Sequence, residues 1–188
     1  AQPEGTFPAR VVRWMDGDTA QIRILGTPPA GIFTYETVRL LGVNTPEIGE
    51  PFSEEATAYF RKLTMGKTVY VELSPWEFRD THSRLLAYLW VETPEGFLMV
   101  NEALLKEGLA RLLVYFPDRE KYYCRFLEAL ASAQREKKNL WGKYPEPLSL
   151  WEVESDPVRY VLEVVTIVFE VSRVGEGKEG WSLWAAQS

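Results

Sequence analysis

The chain holds one cysteine and one histidine in 188 residues. A lone cysteine, Cys124, excludes an internal disulfide; it falls in a helical pattern beside Leu127 and Glu128, where a packing thiol is expected. A lone histidine, His82, excludes a histidine-built metal site or catalytic triad. No run approaches the roughly 18 uncharged apolar residues of a membrane span. The longest apolar stretch, Val158 to Val171, is broken by Arg159, Glu163 and Glu170 and reads as strand. A basic stripe is missing too. The net charge is −6, with 8 acids and 3 bases in residues 146–188 against 19 acids and 18 bases in residues 1–145. The acidity therefore belongs mostly to the tail. In the near-neutral front part, any attraction to a phosphate chain must come from a few focused arginines.

Hydrophobic residues make up 46% and charged residues 26% of the chain, as in a soluble globule with a real core. The length suits one domain plus an appendage. The first 45 residues read as β. Ala9–Met15 and Thr19–Leu25 are strands around the turn Asp16-Gly17-Asp18. Gly26 to Gly31 is a loop by its two prolines, and Thr37–Val43 is a third strand ended by Asn44 and Pro46. Ser53-Glu54-Glu55 opens a helix, the serine placed to cap it and the glutamates suited to its dipole. Ala56, Tyr59, Phe60 and Leu63 follow at helical spacing before Gly66. Lys67–Leu73 and Arg84–Val91 are two more strands joined by a polar loop. Val100–Glu107 is a short helix, and Arg119–Lys138 a longer one with Tyr123, Phe126, Leu127 and Leu130 as its apolar stripe. This order predicts an α+β fold: a five-stranded OB-type β-barrel with three packed helices.

After Trp141-Gly142 the composition changes. Tyr144-Pro145-Glu146-Pro147 reads as a linker, which divides the chain into residues 1–144 and a 145–188 extension. Tyr160–Ser172, Gly175–Gly180 and Trp181–Ala186 predict a β-hairpin-like element. A lone hairpin is marginal in water, so it should pack on the main domain or pair with a second chain as a homodimer. The start Ala-Gln-Pro, without methionine, leads us to expect an upstream segment; a cleaved signal peptide or a trimmed end would each explain it.

Four short stretches fit one site: Asp16-Gly17-Asp18-Thr19, Arg39, Asn44-Thr45-Pro46-Glu47 and Arg84. The plain reading of Asp18 is a turn aspartate bonding nearby backbone N–H groups. Strand alternation places Arg39 on the face shared with Leu41 and Val43, where a guanidinium is costly unless an anion meets it; a structural ion pair and a phosphate both answer that need. Glu47 sits on a turn stiffened by Pro46. Arg84 opens a strand after Asp80-Thr81-His82-Ser83, with His82 a loop residue near any substrate held there.

In this order these residues resemble the staphylococcal nuclease (thermonuclease) family. The resemblance covers roughly residues 8–142. It runs through Met15-Asp16-Gly17-Asp18-Thr19, Val38 to Glu47, and Asp80 to Arg84 leading into Leu86-Ala87-Tyr88. It continues in Val100-Asn101-Glu102-Ala103-Leu104, Gly108-Leu109-Ala110 and Asn139-Leu140-Trp141. It implies an OB-barrel with three helices and calcium-dependent cleavage of DNA and RNA. It also implies that Asp18 binds calcium, that Arg39 and Arg84 grip the phosphate, and that Glu47 orients or deprotonates the attacking water. Asn44 and the Thr45 carbonyl complete the expected metal set, with His82, Tyr115 and Phe116 toward the nucleotide. Secretion or a periplasmic location is implied as well, with no membrane association.

The sequence departs from the family at three places. Asn44 stands where an aspartate is usual, which removes a charged ligand and predicts weaker calcium binding or a changed metal preference. The loop after Glu47, Ile48–Phe52, is short. Thr81 and His82 replace a lysine and a tyrosine near the nucleotide. Two readings follow: a metal-dependent nuclease, with activity weakened at Asn44, or a non-catalytic OB-fold module that binds nucleic acid or protein after losing strong metal binding through Asn44.

Overall fold

Strands β1 (Phe7–Trp14), β2 (Thr19–Ile24), β3 (Tyr35–Leu40), β5 (Val69–Leu73) and β6 (Leu85–Thr93) close on themselves in this computed structural model. Pairing runs β3-β2-β1-β5-β6, antiparallel throughout, and a parallel β3–β6 contact (Val38↔Leu85, Arg39↔Leu86) seals the ring. The result is the five-stranded OB-type barrel. The structure describes residues 3–114 and 120–142, with 148–149, 155, 167–168, 171–177 and 180–185 of the tail.

Period-two alternation builds the core. Ala20, Ile22 and Ile24 of β2, Val38 and Leu40 of β3, and Leu85, Ala87, Leu89 and Val91 of β6 all point inward and are buried. Helix α1 (Ser53–Thr64) covers the barrel with Ala56 and Phe60, and α2 (Val100–Lys106) with Val100, Leu104 and Leu105. Helix α3 (Tyr123–Arg135) packs on α2 through Phe126, Ala129 and Ala133. Among the described residues no helix is long and apolar enough to cross a membrane.

Several local expectations change. Alternation in β3 stops at Leu41 because Gly42 takes φ +73°, so Arg39 does not share a face with Val43. Gly42–Asn44 instead forms a separate strand, β4, which pairs with β8 (Arg111–Leu113). Neither β8 nor β7 (Gly96–Met99) stands out in the sequence, being three and four residues long. The kink is held by Asn101, fully buried, which donates to the carbonyls of Leu41 (2.9 Å) and Ala87 (3.2 Å) and accepts the N–H of Leu89 (3.0 Å). Ser53 is the first helical residue, not a side-chain cap; Phe52, at φ +68°, precedes it. On α3, Leu127 and Cys124 are exposed, and the alanines, not Leu127, complete the buried stripe.

The chain divides into two units, Ala1–Lys143 and Tyr144–Ser188. In the second, β11 (Val171–Gly177) and β12 (Gly180–Ala185) form an antiparallel hairpin, and β9 (Leu148–Ser149) meets β10 (Ile167–Val168) in parallel. The first strand of the hairpin thus runs through the glycines expected to turn. Most of the expected strand at 160–172 lies outside the described residues.

Candidate active site

The Asp16-Gly17-Asp18 turn joins β1 to β2 and is tied to β3 by a backbone bond from Leu40 N–H to the Asp18 carbonyl (2.9 Å). Asp16, not Asp18, stabilises the turn itself: its Oδ1 accepts the N–H groups of Asp18 (3.0 Å) and Thr19 (2.6 Å). Gly17 fits because a Cβ there would stand 2.7–2.8 Å from Ala56 and Thr45. That close packing leaves the Asp18 side chain buried, its carboxylate against Thr45 at the β4 end.

There it meets four donors. Oδ1 accepts the Thr19 hydroxyl (3.0 Å) and lies 3.2 Å from Arg39 Nε; Oδ2 accepts the Thr45 N–H (2.8 Å) and hydroxyl (3.1 Å). Burial pushes the Asp18 carboxyl above the usual carboxylate range, more than Arg39 and the Thr45 N–H pull it down, and Asp16 adds to the rise.

Arg39 is fixed along its whole guanidinium. Nη1 donates to the carbonyls of Leu40 (2.7 Å) and Val43 (2.8 Å), and Nη2 to Asn44 Oδ1 (2.9 Å). Three of its five donors are thus hydrogen-bonded, Nε stands in ion-pair contact with Asp18, and one Nη2 hydrogen has no partner among the described residues. Both carbonyls are free to accept because the chain kinks at Gly42. The structure thus joins Asp18, Arg39, Asn44 and Thr45 in one network.

Arg84 enters by another route. The parallel register sets Arg39 against Leu86, and Arg84 precedes Leu86 by two residues on the same outer face, about 7 Å along the strand. Asp80 organises its loop, accepting the N–H groups of His82 and Arg84 (both 2.9 Å) on Oδ1 and Arg84 Nε (2.7 Å) on Oδ2. Burial works to raise the Asp80 carboxyl, but these bonds and the Arg84 charge together hold it below the usual range. Its anchoring leaves the two Nη groups of Arg84 without a partner among the described residues. His82 is exposed on the same loop, its ring nitrogen 3.4 Å from the Thr81 hydroxyl.

Glu47 follows two residues after Thr45, on a turn closed by Glu50 N–H to Glu47 O (2.9 Å) and Glu47 N–H to Glu50 Oε2 (2.9 Å). Its carboxylate is exposed and has no partner among the described residues. Tyr115 and Phe116 lie outside them. A groove of about 540 Å³ beside Leu86 is lined by Leu41, Trp76, Tyr88, Leu113 and Glu120 among others. The sequence reading passed over Trp76, whose signal was an aromatic in the loop that carries Arg84. A larger hollow, about 800 Å³, follows α1 between Asp16, Ile48, Glu50, Glu54, Glu55 and Met65. Arg61 and Lys62 also line it, and none of the network residues do.

The oxygens present are hard donors of the kind that oxygen-seeking cations take: the Asp18 carboxylate, the Asn44 amide oxygen and the Thr45 carbonyl. Among the described residues no group of three or more Asp, Glu, His or Cys is placed to hold a metal. A cation here would have to share Asp18 with Arg39.

A profile of the staphylococcal nuclease homologue family matches residues 37–143. The chain is similar to the thermonuclease of Staphylococcus hyicus, with 35% identity over 139 residues that cover 71% of this chain and 75% of that protein. It is also similar to two Bacillus subtilis proteins, the SPbeta prophage-derived endonuclease YokF and endonuclease YncB, each 32% identical over 137 residues and 70% of this chain. Those matches cover 43% and 60% of the two endonucleases, less than two thirds of either. With a closed OB-type barrel, the matched motifs in order and a profile spanning more than half its length, this chain belongs to the staphylococcal nuclease homologue family.

Proposed function

We propose that the chain is a nuclease that hydrolyses phosphodiester bonds of DNA and RNA with the help of calcium. One observation carries the reading: the Arg84 side chain is held through its Nε and, among the described residues, its two Nη groups have no partner, one strand away from the fixed Arg39. A guanidinium anchored this way is set for bidentate contact with a phosphate. The thermonuclease and endonuclease names of the relatives agree with it.

In this mechanism Arg84 grips two oxygens of the scissile phosphate, and Arg39 adds its remaining Nη2 hydrogen. Negative charge grows on the phosphoryl oxygens as water attacks, so donors already fixed in place favour the transition state over the ground state. Glu47, exposed and without a carboxylate partner among the described residues, takes the proton from the attacking water. The phosphorus–oxygen bond to the leaving sugar oxygen breaks as the new one forms, and that oxygen takes a proton from solvent water and departs as an alcohol. Asp18, Asn44 Oδ1 and the Thr45 carbonyl would hold the cation, and Arg39 would share Asp18 with it. When bound, a calcium ion supplies Lewis-acid polarisation of the phosphate and a more acidic water.

The second reading, a non-catalytic OB module, has its own support. The Asn44 oxygen is turned to Arg39, and the Asp18 carboxylate already accepts three hydrogen bonds and an ion-pair contact from Arg39. Denatured DNA with calcium separates the two. A nuclease cuts it, stops with chelator, and loses about 10²–10⁴-fold in rate as Glu47→Gln, with a loss of orders of magnitude as Arg84→Ala. Full activity in both variants sinks the proposed site. A binding module shifts the mobility of the DNA and leaves it whole at every calcium concentration.

A further inference from the structure

Among the described residues four aromatic side chains are strongly exposed: Phe33 (72%), Trp76 (68%), Tyr35 (60%) and Phe78 (44%). All four come from two places, the approach to β3 and the 74–84 loop that leads to Arg84. Such concentration gives up the burial that stabilises a fold, and clustered apolar exposure marks a contact surface.

Arg79 joins the two places. Its guanidinium lies 6.0 Å from the Phe33 ring centre and 5.7 Å from that of Phe78. Four of its donors are committed: to Glu36 Oε1 (2.6 Å) and Oε2 (3.0 Å), and to the carbonyls of Gly31 (3.0 Å) and Ser83 (2.8 Å). Glu36 in turn accepts the N–H of Phe33 (2.8 Å). Both rings therefore rest on a fixed cation and are ordered before any ligand arrives.

This surface continues from the phosphate-facing arginine. The Phe78 carbonyl accepts Leu86 N–H (2.9 Å), Asp80 N–H donates to the Arg84 carbonyl (3.0 Å), and Arg79 bridges to Leu85. On this edge Phe78 alternates with Arg79, as Leu86 does with Leu85, so Phe78 and Asp80 lie on the outer face with Arg84. Flat, preordered rings next to a phosphate-binding group match a polynucleotide whose bases are unstacked. Bases inside a duplex have both faces covered and could not use them.

We propose that Phe33 and Phe78, backed by Arg79, form a base-stacking track that holds unpaired nucleobases of a single-stranded polynucleotide beyond the phosphate gripped by Arg84. The track rests on the reading that Arg84 binds phosphate.

The test measures binding of a fluorescein-labelled 12-residue oligothymidylate by anisotropy, with calcium, in a Glu47→Gln background whose slowed cutting leaves the oligonucleotide whole during the measurement. Phe33→Ala and Phe78→Ala each raise Kd about tenfold. They leave the dependence on salt unchanged, since a lost stack releases no counterion. Phe78→Trp restores binding, and circular dichroism melting checks that each variant folds. In the Glu47 parent the loss of hydrolysis on the 12-mer exceeds that on a nitrophenyl ester of thymidine phosphate. Kd values within twofold of the background, in a protein whose Glu47 parent still cuts, overturn the track and leave the nuclease; a protein surface is then the occupant. A parent that binds without cutting, and loses affinity with either phenylalanine, keeps the track and removes the nuclease. No binding by the background removes both.

Discussion

Thr45 donates twice to a single carboxylate oxygen of Asp18, through its backbone N–H at 2.8 Å and its hydroxyl at 3.1 Å. This pair stitches the turn after β1 to the turn after β4 and leaves the second oxygen to Thr19 and Arg39. Asp18→Asn keeps the shape but presents an NH₂ group to one of these donor pairs, whichever way the amide turns. We expect a stability loss of about 2–3 kcal/mol, read by urea denaturation in chelator so that no cation contributes. A change under about 0.5 kcal/mol, within the range of an ordinary surface substitution, would show that the four contacts are not made.

Asn44→Asp keeps the acceptor for Arg39 Nη2 and adds a negative charge beside Asp18. Cation affinity follows ligand charge, so calcium should bind at least about tenfold more tightly. Terbium luminescence and calorimetry read this without any turnover. The calcium level for half-maximal cleavage should fall in step. If affinity does not move, Asn44 is not at the cation and the proposed ligand set is wrong.

Long periodic features were legible in the sequence and short or long-range ones were not. Ile22, Ile24, Val38 and Leu89 alternate cleanly enough to reveal barrel strands, and the order of turns around them suggests how they close. The site residues are legible as types, since Asp18, Arg39, Glu47 and Arg84 sit at strand ends. What they touch is not. The positive φ of Gly42 frees two carbonyls for Arg39, and only the folded chain shows that Asn101, some 60 residues away, holds this kink. Three-residue β8 carries too little pattern to detect. Cys124 lies on an exposed helix face, and Ala129 and Ala133 are buried where Leu127 is not. Phe33 and Trp76 lie in loops without periodic pattern, so their exposure shows only in the folded chain.

Gly42 is also where the fold is least tolerant. A Cβ added there would stand 2.2 Å from Phe126 Cε2, and the backbone is in the left-handed region. Gly42→Ala should cost about 3 kcal/mol or more, from overpacking and backbone strain together. Chemical denaturation of Gly42→Ala, Phe126→Ala and the double variant separates the two terms. Removing the ring recovers the steric part and leaves the strain, so the double variant should be more stable than the sum of the singles. Strict additivity would mean that Phe126 does not press on Gly42.

The Glu36–Arg79 pair under the aromatic loops fixes a pH dependence whose sign follows from burial. Glu36 is 7% exposed. Burial works to raise its carboxyl, but the Arg79 hydrogen bonds, the Phe33 N–H and the Arg79 charge together lower it below the ordinary 4.5. Between the folded value and 4.5 the unfolded chain binds more protons, so stability rises with pH in that window. The contribution is complete above 4.5 and is lost as pH falls through the lower folded value. Arg79→Leu leaves the carboxylate buried without its cation, at a cost of about 3–5 kcal/mol near pH 7. With only burial acting strongly, the Glu36 carboxyl then moves up instead of down, and protonation relieves the penalty. The stability gap between parent and variant should therefore narrow steadily from pH 7 to pH 3.5, as urea denaturation at intermediate pH values would show. A gap that stays constant over this range would mean that Glu36 does not carry its charge against Arg79, and the rigid backing of Phe33 and Phe78 would lose its cause.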